Sequence, residues 1–165
     1  MESIILEVIM LGLATQKKTK DEKHREQALK WEEILLATQG LIKDKNVWIN
    51  EIPIKGQQGE KKPQFIHTIE VGREHSEIVV LIHGYGGTAV YMWKIMAQLA
   101  KNFHVYALDL YGMGLSSRPD FNYKRNQFEE TVQFFCDAIE DWRIYNKIDS
   151  QFSLLGHSFG GYTAI

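Results

Sequence analysis

The chain has 165 residues, 44% hydrophobic and 24% charged, which is the composition of one folded globular domain. Its formal charge of -2 excludes a nucleic-acid surface, since displacing counterions from phosphates needs a cationic excess. A single cysteine, Cys136, excludes an internal disulfide, and no Cys/His cluster has metal-ligand spacing, so the expectation is a reducing compartment with no metal and no cofactor.

In chain order, residues 1–20 come first. The apolar positions Ile4, Ile5, Leu6, Val8, Ile9, Met10 and Leu11 are interrupted by Glu7 and run into Lys17 and Lys18. The stretch is too short to span a bilayer and carries Glu2 where a secretory signal has positive charge. It reads as a helix packed on the domain, with a peripheral contact to a membrane or lipid droplet as the competing expectation. Residues 21–38 then set Ala28, Trp31, Ile34 and Leu35 at helical spacing. These features divide the chain into an N-terminal helical segment, 1–45, and a second part, 46–165.

After Gly40 the period changes. Residues 47–54 and 65–71 read as two strands joined by a polar turn over 55–62, an antiparallel hairpin or meander that opens a sheet. Residues 78–82, Ile-Val-Val-Leu-Ile, are apolar without alternation, which predicts a central strand covered on both faces. A glycine-rich loop, His83-Gly84-Tyr85-Gly86-Gly87, a helix over 90–99 and a strand over 103–108 complete a βαβ unit. The loop 109–120, a helix in which Phe128, Val132, Phe135, Ile139 and Trp142 recur at three- and four-residue steps, and a strand over 152–155 form a second. Right-handed crossovers place these strands in one parallel sheet and gather the following loops at a single edge, where such sheets bind ligands.

The last of those loops carries the chemistry. Gly156-His157-Ser158-Phe159-Gly160 has the pattern Gly-x-Ser-x-Gly between a strand and a helix start, which sets a serine hydroxyl on a strained turn above the sheet edge. Gly156 and Gly160 leave out the Cβ atoms that would collide in that turn, and Gly161 lets the next helix approach. Acyl transfer through Ser158 also needs donors for the oxyanion, and the candidates are the amides of Phe159, of Tyr85 and, second in that loop, of Gly86. His83 and Gly84 precede them in the same loop.

The order of apolar strand, His83 to Gly87, second strand, the run from Asp109 through Ser116-Ser117-Arg118-Pro119, and the Gly156 to Gly161 elbow resembles the α/β-hydrolase superfamily. The details resemble its lipid-directed subgroup of phospholipid and N-acyl-phospholipid hydrolases, cardiolipin deacylases and lipid-droplet lipase co-activators. The resemblance implies an α/β-hydrolase fold with a mostly parallel sheet, Ser158 as nucleophile, and a lipid or small-molecule ester as substrate. Some co-activators of the subgroup carry asparagine at the serine position, so Ser158 implies a catalytic member. A lysophospholipid acyltransferase and a non-enzymatic lipid-surface adaptor are the alternatives. The implied location is cytoplasmic, peripheral on membranes or lipid droplets, with mitochondria the other candidate.

The resemblance also assigns the neighbours of Ser158. Asp109 belongs to a structural turn, His83 orients the oxyanion loop, and His157, adjacent to the nucleophile, packs and bonds beneath the elbow. His104 and Asp109 spell His-x-x-x-x-Asp, but an odd separation on a strand sends the two side chains to opposite faces. In family order the acid and the histidine of the triad follow the serine, and seven residues follow Ser158 here. The expectation is a chain truncated after the elbow and inactive alone, with its last strand an unpaired edge.

Overall fold

The computed structural model describes residues 20–56, 62–120, 128–149 and 151–164. Two compact units are distinguished, residues 1–31 and 32–165. The apolar stretch expected to contact lipid lies outside the described residues, apart from Lys20. Helix α1 (Lys20–Ala37) begins in the first unit, with Asp21 and Glu22 in its first turn, where carboxylates complement the exposed amides. In its last turns Leu36 is buried while Ile34 is exposed, so the inward position is one the expected stripe left out.

The second unit is built on a five-stranded sheet in the order β1-β2-β4-β3-β5. Strand β1 (Val47–Ile54) and β2 (Gln64–Val71) form the expected antiparallel hairpin, with Val47 opposite Val71 and Ile54 opposite Gln64. The sheet does not continue as a meander. Strand β3 (Ile78–Ile82) lies one place further out, and β4 (His104–Leu108) fills the gap, antiparallel to β2 and parallel to β3. Strand β5 (Ser153–Gly156) then pairs in parallel with the other side of β3. The sheet is therefore mixed, parallel only across β4, β3 and β5.

Handedness decides where the helices go. The step from β3 to β4 moves one way across the sheet and the step from β4 to β5 the other, so two right-handed crossovers must use opposite faces. Helix α2 (Trp93–Leu99), entered through a 3₁₀ turn over Ala89–Met92, contributes Met96 to a core with Val79, Leu81, Val105 and Ala107. Helix α3 (Phe128–Tyr145) covers the opposite core with Val80, Ile82, Tyr106 and Leu108. Strand β3 divides its side chains between the two cores, as its unbroken apolar run predicts.

On α3 the buried positions are Phe134, Phe135, Ala138 and Trp142, whereas Val132 and Ile139 of the expected stripe are only half-buried. The inward face is turned so that Phe134 stacks on Tyr111, with ring centroids 4.9 Å apart. The Trp142 indole N–H donates to Thr68 Oγ1 at 2.9 Å, so the largest core side chain buries no unmet donor. Among the described residues no helix is long and apolar enough to cross a membrane.

Candidate active site

The loops after β3, β4 and β5 meet at one edge of the sheet. The chain turns sharply out of β5 at Ser158, whose φ of 53° and ψ of -117° lie outside the regions that side-chain-bearing residues favour. Such a conformation costs about 1–3 kcal/mol and persists only where surrounding bonds over-determine it. Here the His157 amide donates to the Ile82 carbonyl, the Gly160 amide to His157 and the Gly161 amide to Ser158, each at 2.9 Å. The four-residue helix α4 (Phe159–Tyr162) follows at once. A Cβ on Gly160 would lie 2.5 Å from the Ile82 carbonyl oxygen, and one on Gly156 would lie 2.3 Å from the Gly160 oxygen. The elbow closes only around glycine, and it leaves Ser158 exposed.

The loop after β3 lies against it. A Cβ on Gly84 would stand 3.1 Å from the Ser158 Cβ. The Gly87 amide donates to the Gly84 carbonyl at 3.0 Å, closing a turn in which Gly86 takes φ of +67° and Tyr85 keeps a negative φ. That combination is a type II turn, which places glycine at its third residue. The amides of Tyr85, Gly86 and Phe159 donate to no acceptor among the described residues. Three amides without an acceptor among the described residues thus belong to the two loops that meet at Ser158.

Two buried side chains hold this loop to the one after β4. The Leu110 amide donates to His83 Nε2 at 2.9 Å, so the ring proton sits on Nδ1, which donates to the Gly84 carbonyl at 2.7 Å. Both ring nitrogens of His83 are thus engaged within these loops, and neither bonds Ser158. The Asp109 carboxylate is fully buried and accepts from the Ala89 amide at 2.5 Å and the Leu115 amide at 2.6 Å. Asp109 is likewise engaged, in structure.

His157 differs from its expected place. Its ring is exposed and its side chain makes no hydrogen bond among the described residues. Its Nδ1 lies 3.2 Å from where a Cβ on Gly84 would stand, so the ring sits against the loop after β3, and Ser153 and Leu155 of β5 are exposed as it is. His104 pairs with Glu70 at 2.8 Å, far from any role with Asp109. Burial pushes the Cys136 thiol up from its ordinary range, a packed sulfur and not an activated one. Among the described residues no group of three His, Cys, Asp or Glu side chains could hold a metal ion.

Sequence reasoning missed the work of Ser116 and Ser117. The β2–β4 ladder ends at Thr68 opposite Leu108. Beyond it the His67 amide donates to Ser116 Oγ and the Phe65 amide to Ser117 Oγ, both at 2.9 Å, so the loop continues the strand with hydroxyls. No local signal marks this, because the partners are 49 and 52 residues apart.

A Gly-x-Ser-x-Gly turn between a strand and a helix, an adjacent glycine turn and a parallel βαβ core define an α/β-hydrolase architecture. The chain belongs to the alpha/beta hydrolase family, whose model matches residues 79–165. It is 43% identical over 104 residues to a probable 1-acylglycerol-3-phosphate O-acyltransferase of Oryza sativa subsp. japonica, covering 62% of this chain and 24% of that one. It is 36% identical over 115 residues to the 1-acylglycerol-3-phosphate O-acyltransferase ABHD5 of Homo sapiens, covering 68% and 30%. The chain thus spans less than a third of the length of these relatives. In fold it is similar to a bacterial membrane phospholipase A, with a TM-score of 0.61 at 20% identity over 99% of this chain and 46% of that one.

Proposed function

We propose that the protein is a serine-nucleophile carboxylic-ester hydrolase acting on acyl esters of lipids or phospholipids, cytoplasmic and peripheral on membranes or lipid droplets. The observation that carries the reading is Ser158, exposed on a strained elbow beside the unspent amides of Phe159, Tyr85 and Gly86. Ser158 Oγ attacks the ester carbonyl carbon, and the amides stabilise the charge that develops on the carbonyl oxygen. Collapse expels the alcohol and leaves an acyl-enzyme, which water then cleaves. The serine proton needs an acceptor. Ser158 has no hydrogen bond to a histidine among the described residues, so this reading expects little or no turnover from residues 1–165 alone.

Acyl transfer is the second reading, supported by the activity in the names of the rice and human relatives. It shares every step up to the acyl-enzyme and replaces water with the hydroxyl of a lysophospholipid. Residues 1–20 supply the lipid contact in both readings, with 46–165 as hydrolase domain. Fluorophosphonate labelling of a full-length version of the protein, followed by product analysis on a phospholipid with and without a lysophospholipid acceptor, tests both. Labelling at Ser158 that Ser158→Ala abolishes is the expected result. Labelling that survives this substitution refutes the nucleophile, and acyl transfer exceeding hydrolysis moves the conclusion to the second reading.

A further inference from the structure

Glu32, near the end of α1, and His67, in β2, form a buried pair that the chemistry above does not use. Their side chains are 3% and 1% exposed, and both carboxylate oxygens face His67 Nε2, at 2.9 and 3.2 Å. A contact that served only to dock the end of α1 would be stronger if apolar, since burying a carboxylate exacts a desolvation penalty its partner barely offsets. Leu36, one turn further on, is such an apolar contact.

What distinguishes His67 is its main chain. It sits one residue past the end of the β2–β4 ladder, where no strand pairing with β4 holds it. Instead its carbonyl accepts from the Asp109 amide at 2.9 Å and its amide donates to Ser116 Oγ, whose hydroxyl donates to the Asp109 carbonyl at 2.6 Å. The Asp109 side chain then holds the amide of Ala89, two residues beyond the Gly84–Gly87 turn. A continuous set of bonds runs from the Glu32 carboxylate through the His67 ring and peptide to Asp109 and the loop that carries the Tyr85 and Gly86 amides.

We propose that Glu32 and His67 are positioning residues for the oxyanion loop: the carboxylate fixes the His67 ring, and with it the peptide on which the Asp109 turn is seated. The functional half of this inference rests on the reading of Ser158 as nucleophile. The bond network itself does not.

Hydrogen exchange separates the two. In the protein carrying Glu32→Ala, amide exchange at Ala89, Asp109 and Leu115 should rise at least about tenfold relative to the core amide of Leu81, as expected when a hydrogen bond to a charged group is lost. Fluorophosphonate labelling of Ser158 should slow in parallel. Glu32→Gln keeps one acceptor oxygen and should restore most of both; if Glu32→Ala fails to fold, Glu32→Leu, which keeps apolar packing but offers no acceptor, takes its place and should give the same selective rise. Leu36→Ala, which removes apolar packing beside the same helix turn, is the comparison. It should raise exchange at Leu81 and at the three loop amides together. Loop exchange unchanged in Glu32→Ala, or the same selective rise in Leu36→Ala, overturns the proposal. A full-length wild-type protein that does not label refutes the hydrolase reading, and exchange still decides the coupling.

Discussion

Asp109→Asn isolates the bond that joins two loops of the candidate site. The carboxylate uses one oxygen for the Ala89 amide and the other for the Leu115 amide, in complete burial. Asparagine preserves shape but offers one oxygen, so its NH₂ must face one of those N–H groups. One charge-assisted bond, about 1.5–3 kcal/mol, is lost, and a buried donor is left unmet. The smaller penalty for burying a neutral side chain returns part of this, leaving about 2–4 kcal/mol. With an m-value near 2 kcal/mol/M, the urea midpoint should fall by about 1–2 M at constant slope. Asp109→Ala leaves both amides unmet and should be worse. Urea unfolding by far-UV circular dichroism measures both variants. A loss below about 0.5 kcal/mol for Asn, or equal losses for Asn and Ala, would refute the account of Asp109 as a two-amide clamp.

Gly160→Ala sets a methyl against the Ile82 and His83 carbonyl oxygens at 2.5 and 2.6 Å, both backbone atoms at the end of a central strand. It should destabilise by about 1–3 kcal/mol or more and abolish Ser158 labelling, checked by thermal melting and the probe; a melt within a degree of wild type contradicts the elbow geometry. At the opposite end of the sheet, burial raises the Glu70 carboxyl, but hydrogen bonds from Arg73 and His104 outweigh it and hold the group below its ordinary 4.5. A depressed folded-state value means that its stabilisation is complete above the unfolded value and is lost as pH falls through the lower, folded one. Glu70→Gln should therefore be less stable at neutral pH and show a shallower loss of stability below about pH 4.5. Denaturant midpoints measured between pH 3 and 7 that fall in parallel for both proteins would contradict it.

What was legible in the sequence was what neighbours in the chain determine. The elbow is a pattern of five consecutive residues whose glycines answer local collisions, and the central place of β3 follows from five apolar residues in a row. The insertion of β4 between β2 and β3 was not legible. Hairpin propensity says that β1 pairs with β2, but nothing local states which side of β3 receives the next strand. The face of α3 was off by a fraction of a turn, because Val132 and Phe134 compete for one stripe and Tyr111, 23 residues away, selects Phe134. The Glu32–His67 pair spans 35 residues and two element types, and no periodicity relates its members.

The run Ser116-Ser117-Arg118 shows how a resemblance and its physical cause can part. It helped to identify the lipid-directed subgroup, yet both hydroxyls are spent on β2 amides and the Arg118 guanidinium on the Gly112 and Gly114 carbonyls, at 3.4 and 2.9 Å. Each of these groups answers a main-chain atom of its own domain. A guanidinium bonded to two loop carbonyls has fewer N–H groups left for a phosphate, and buried Ser116 offers nothing to an incoming ligand. The run therefore supports the edge of the candidate site from below, by extending β2 along the Asp109 loop. On the proposed reading, this chain's contribution to choice among acyl esters comes from side chains that stand free at that edge. Tyr85, 83% exposed on the turn that flanks Ser158, is one whose ring has the reach to meet an acyl chain.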